Sequence, residues 1–113
     1  MSSPIPPHTL DTALGRPAAG VPVTLERQAG PAWELLGQGI TDADGRIADL
    51  MPAGSLRAGT HRITFATGAY FAAQNTEGFY PTVPIIFSVA DGAEHYHVPL
   101  LLNPFGFSTY RGS

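Results

Sequence analysis

A chain of 113 residues bounds the protein to one ordinary domain, residues 1–113, with a single two-layer core. Charged residues are only 13% of the chain, about half the usual share of roughly 25%, which leaves a neutral surface suited to cover by partner subunits. A formal charge of −3 without a basic run excludes an electrostatic footprint for nucleic acid or anionic membrane, and the lack of cysteine excludes disulfides and thiolate metal sites.

The 13 glycines and 11 prolines punctuate short apolar runs, a pattern of mainly β architecture, sandwich or barrel. Residues 1–6 are expected to be flexible. Met1 to Pro7 has no basic start followed by an apolar segment, and no run of about 18 apolar residues occurs, so a cytoplasmic protein without a membrane span is expected. A turn is signalled at Leu14-Gly15-Arg16-Pro17. Val21, Val23 and Leu25 then alternate with Pro22, Thr24 and Glu26, as in a strand covering a core on one face. Further turns are signalled at Asp42-Ala43-Asp44-Gly45 and Met51-Pro52-Ala53-Gly54.

His61, Ile63 and Phe65 oppose Arg62, Thr64 and Ala66 in a second alternating strand. The alternation breaks over Thr67 to Asn75, where Tyr70, Phe71 and Ala73 follow a Thr67 cap, and two turns of helix are predicted. Ile85 to Val89 and Val98 to Leu102 are denser apolar runs, expected to be buried on both faces by the core and by neighbouring subunits. Asn103-Pro104 turns the chain into a last strand, Phe105 to Tyr110.

Side chains of equal parity share a face of a strand, so His95, His97, Pro99 and Leu101 point one way and Tyr96, Val98, Leu100 and Leu102 the other. The second set is the core set, which leaves the histidines outward. His95 and His97, with His8 as a third imidazole, are compatible with a zinc site, although no carboxylate or thiolate obviously completes it. His61, beside Arg57 and Arg62, reads as a solvated strand position. Asp42-Ala43-Asp44-Gly45 begins like a calcium loop, but the twelfth loop position is Ala53 and not glutamate, so it reads as a turn that carries Arg46. Ser113 invites a nucleophile reading with His97 and an aspartate, yet no nucleophile elbow is present.

Four segments together carry a resemblance: His8-Thr9-Leu10-Asp11, Asp44-Gly45-Arg46, the run from His95 to Leu102, and the ending Tyr110-Arg111-Gly112-Ser113. The chain resembles the 5-hydroxyisourate hydrolase family, built on the transthyretin fold, from about Pro7 to Ser113. Transthyretin, the hormone-carrying relative, lacks the two histidines, the arginine and that ending, which puts this chain on the enzyme side. A transthyretin-like small-molecule carrier is the alternative.

The resemblance implies a β-sandwich of two four-stranded antiparallel sheets with one short helix, assembled as a homotetramer, a dimer of dimers around a channel. It implies that Ser108 and Tyr110 share the face of His97, with His8 and Leu10 on a neighbouring strand. It implies a cofactor-free reaction in which water opens the ring of 5-hydroxyisourate, giving the carboxylated ureidoimidazoline of urate degradation. His8, Arg46 and His97 are the implied catalytic residues, and Tyr110, Arg111, Gly112 and Ser113 the implied substrate-binding ones. An imidazole, with an ordinary pKa of ~6.5, suits proton transfer with water at neutral pH. Which of His8 and His97 is the base stays open.

Overall fold

In a computed structural model of the chain, which describes residues 4–112, two four-stranded sheets face each other. β1 (Pro7–Asp11), β2 (Arg16–Pro17), β7 (Val98–Asn103) and β8 (Gly106–Thr109) form one, in the order β2-β1-β7-β8. β3 (Pro22–Ala29), β4 (Ala32–Ile40), β5 (Gly59–Phe65) and β6 (Val83–Val89) form the other, in the order β4-β3-β5-β6, and α1 (Thr67–Ala72) links β5 to β6. The mainly β sandwich with one short helix is therefore the fold. The first sheet is mixed rather than wholly antiparallel, because β1 runs parallel to β7, with His8 opposite Pro99 and Leu10 opposite Leu101. A parallel neighbour needs a long connection, and nearly the whole chain lies between these two strands.

The core forms where the alternating faces meet. Val23, Leu25, Ile63 and Phe65 from one sheet pack with Val98, Leu100 and Leu102 from the other, and Tyr70 and Phe71 of α1 close one side. Burying each such large side chain contributes about 1.5–3 kcal/mol. Ile5 is also fully buried and the Pro4 carbonyl accepts the Tyr96 N–H at 2.9 Å. Met1, Ser2 and Ser3 lie outside the described residues.

Turn chemistry sets the connections. Gly30, at φ 61, starts the two-residue link with Pro31 between β3 and β4, an arrangement in which glycine takes the left-handed first position. β4 escapes the sequence pattern because a bulge between Leu25 and Glu26 shifts its register against β3, so its side chains do not alternate cleanly. The helix is shorter than predicted. Thr67 is its first residue and makes no capping bond; its hydroxyl instead donates to the Tyr80 carbonyl at 2.8 Å. Asn75, at φ 53, ends it, with the Thr76 N–H on the Phe71 carbonyl and the Asn75 N–H on the Ala72 carbonyl, both 3.0 Å, a Schellman arrangement.

The reading of His61 as solvated is overturned. It is fully buried on the inner face of β5, stacked on Phe87 with ring centroids 5.8 Å apart. Its Nδ1 lies 3.1 Å from the Gly59 carbonyl, and its Nε2 is a buried polar atom without a hydrogen-bond partner. The parity that placed it with Ile63 and Phe65 was the better guide than its arginine neighbours. Among the described residues no helix is long and apolar enough to cross a membrane.

Candidate active site

The outward face of the first sheet gathers the residues singled out by sequence. The parallel register brings His8 and Leu10 beside Pro99 and Leu101, and the hairpin register places Ser108 opposite Leu101. His8 and His97 lie at the same end of that face, their rings nearly parallel at 15° with centroids 6.0 Å apart. Both are half-buried. Burial lowers the pKa of His8 from its usual value, the Arg46 guanidinium and His97 lower it further, and Asp44 opposes them. These influences together favour the neutral form of His8.

Arg46 is brought there by its loop. Asp42 Oδ1 accepts the Asp44 N–H at 2.9 Å and the Arg46 N–H at 3.1 Å, the self-capping habit of aspartate in turns. Gly45 has φ 74, and a Cβ there would stand 2.3 Å from the Thr9 carbonyl oxygen, so no other residue fits. The Gly45 carbonyl accepts the Thr9 N–H at 2.8 Å and faces the Thr9 hydroxyl at 3.0 Å, and Arg46 consequently bridges His8 in antiparallel fashion. Thr9, fully buried beneath His8, thus anchors the Arg46 loop. Its only signal in the sequence was parity, since it sits opposite His8.

The tail closes the site from the other side. Gly112 bridges His97, donating its N–H to the His97 carbonyl at 2.9 Å. The Arg111 guanidinium lies over the Tyr96 ring, 4.6 Å from its centroid, with Glu94 Oε2 at 3.9 Å. Glu94 in turn accepts the Tyr96 hydroxyl at 2.9 Å. Sequence reasoning missed Tyr96 and Glu94 as the support of Arg111, because Tyr96 read simply as core. Tyr110 is 60% exposed. A cleft of about 200 Å³ opens beside His97, between Ile85 and Phe87 of β6 and Tyr110 and Arg111 of the tail.

Four of the expected residues, His8, Arg46, His97 and Gly112, therefore stand together, Arg111 lies over Tyr96 on the wall of the cleft beside His97, and Ser113 lies outside the described residues. His95 precedes β7 and is exposed. Among the described residues no group of three or more His, Cys, Asp or Glu side chains is placed to hold a metal ion, so the zinc alternative over His8, His95 and His97 is not assembled. Two near-parallel imidazoles beside a guanidinium make a site able to move a proton and stabilise a developing oxyanion.

A model of the HIUase/Transthyretin family matches residues 5–112. A 5-hydroxyisourate hydrolase from Salmonella dublin is 46% identical over 106 residues, covering 94% of this chain and 78% of that protein. The structure of Klebsiella pneumoniae 5-hydroxyisourate hydrolase aligns with a TM-score of 0.84 at 40% identity, covering 96% of this chain and 92% of that one. Sea bream transthyretin in complex with thyroxine aligns with a TM-score of 0.92 at 30% identity, covering 97% of this chain and 95% of that one. Backbone shape is thus shared by a 5-hydroxyisourate hydrolase and a transthyretin, and sequence identity is higher to the hydrolases.

Proposed function

The chain belongs to the HIUase/Transthyretin family, and we propose that within it this protein is the enzyme, hydrolysing 5-hydroxyisourate to 2-oxo-4-hydroxy-4-carboxy-5-ureidoimidazoline. The observation that carries the reading is the meeting of His8, Arg46 and His97 on one sheet face. A carrier has no need of two paired imidazoles beside a cation. A shared fold by itself says little about activity.

In the proposed reaction His97 takes a proton from water as the water oxygen attacks the activated acyl carbon. Negative charge gathers on the former carbonyl oxygen, where the Arg46 guanidinium stabilises it, an effect worth about 3–4 kcal/mol where such donors have been removed elsewhere. The ring C–N bond then breaks, the departing nitrogen takes the proton from His97, and the carboxylic acid formed at the acyl carbon releases its remaining water-derived proton to solvent as it becomes a carboxylate. His8, neutral through burial and the nearness of Arg46, accepts a hydrogen bond from the water and orients it. Tyr110, Arg111, Gly112 and Ser113 border the ring of the substrate in this reading.

A homotetramer, a dimer of dimers, belongs to the same proposal. β6 and β8 are each an edge strand of their sheet. Ile86 is 62% exposed, Phe79 68%, Phe107 41% and Tyr110 60%, an apolar border beside unpaired strand edges of the kind that natural proteins cover. Tyr110 belongs both to this border and to the cleft beside His97, which supports a site completed by a second copy. The deciding experiment is the ultraviolet absorbance of freshly generated 5-hydroxyisourate with and without protein. Accelerated decay is expected; unchanged decay with saturable ligand binding would assign the carrier role instead.

A further inference from the structure

Gly112 sits closer to His97 than any side chain would permit. A Cβ built on it would lie 2.3 Å from His97 Nδ1, 2.8 Å from Cγ and 3.0 Å from the His97 Cβ. Yet Gly112 is not among the residues with positive φ. Its backbone conformation does not demand glycine; the space occupied by the imidazole does. The Gly112 N–H bond to the His97 carbonyl pins the tail in that place, so the backbone at Gly112 is pressed against the Nδ1 edge of the ring, and His8 stacks nearby.

We propose that Gly112 is a positioning residue: its bare backbone sets the orientation of the His97 imidazole, covering the Nδ1 edge and leaving Nε2 as the nitrogen that faces attacking water. In consequence the tail acts on the chemistry through His97 as well as by bordering the substrate. The catalytic consequence rests on the hydrolase reading, whereas the contact itself does not. Displacement of a reacting group by about 1 Å can cost on the order of 10²-fold in rate, and an added methyl group must displace either the ring or the tail by such an amount.

The test uses the full chain and Gly112→Ala, with Gly106→Ala as control. At Gly106 the nearest atom to an added Cβ is Asn103 Oδ1 at 3.7 Å, which is ordinary contact. The side-chain NMR resonance of His97, assigned by its loss in His97→Asn, is expected to shift in Gly112→Ala and to stay in place in Gly106→Ala. kcat is expected to fall on the order of 10²-fold with KM changed much less. Removal of Gly112 and Ser113 frees the ring without a clash and serves if Gly112→Ala folds poorly; it is expected to move the resonance toward that of a solvated imidazole. An unmoved His97 resonance in both variants overturns the proposal. A moved resonance in a wild-type protein that does not hydrolyse 5-hydroxyisourate upholds the positioning and rejects the hydrolase reading, so the two failures are separable.

Discussion

The imidazole of His8 lies nearly parallel to that of His97, at 15° and 6.0 Å between centroids, with Arg46 bridging His8 from the opposite side. Two causes that lower the His8 pKa, Arg46 and His97, and the one that raises it, Asp44, are side chains open to replacement. Arg46→Ala removes a cation that disfavours protonation and is expected to raise the His8 midpoint toward the ordinary ~6.5. Asp44→Asn removes the opposing anion and is expected to lower it further. NMR titration of His8 reads both; movement in the same direction would contradict the electrostatic picture of the site.

Replacing His97 with asparagine keeps much of its shape but removes the titratable nitrogen. Turnover is expected to fall by at least about 10²-fold while the folded content seen by circular dichroism is retained. A smaller loss at His97 than at His8 would exchange the roles of base and orienting residue.

His61 is expected to matter for stability rather than turnover. It is buried with an unpartnered Nε2, and burial is the leading cause of its lowered pKa, with Arg27 adding to it and the Gly59 carbonyl opposing. The unfolded chain therefore takes up a proton near pH ~6.5 while the folded one does so only at lower pH. Stability from this group is whole above that pH and declines as pH falls from there toward the folded midpoint. His61→Asn is expected to cost about 1–3 kcal/mol. In His61→Phe, which keeps a ring against Phe87, stability relative to the wild type should improve as the pH is lowered from 7 to 5. Parallel melting curves for the two proteins across that range would refute this.

Deletion of Arg111 to Ser113 separates stability from function. The contacts described for the deleted residues are the Gly112 bond to His97, the stacking of Arg111 on Tyr96 and a long contact to Glu94, none of them in the core. A melting temperature close to that of the intact chain is expected, with most activity gone. Near-normal decay of 5-hydroxyisourate in the absorbance assay would remove the tail from the site.

The exposed border of Ile86, Phe79, Phe107 and Tyr110 is expected to be covered by further copies, and light scattering should report about four chains. Ile86→Glu places a charge on an edge strand and is expected to reduce the assembly and the activity together. A wild-type monomer at micromolar concentration would defeat the proposed composite site.

What the sequence settles by itself is whatever depends on neighbours along the chain. The alternation of Tyr96, Val98, Leu100 and Leu102 gave their burial because strand side chains change face at every residue, and Asp42-Ala43-Asp44-Gly45 was legible as a turn because glycine and aspartate have local reasons to be there. The meeting of His8 with Arg46, and of His97 with Gly112, depends instead on strand register, a non-local quantity that the family resemblance supplied in outline and only the folded chain specifies. The parallel pairing of β1 with β7 and the bulge that hides β4 are of the same kind. His61 states the difference most sharply: its parity put it with Ile63 and Phe65, but whether that end of the sheet is covered is decided by packing from elsewhere in the chain, which leaves the imidazole fully buried.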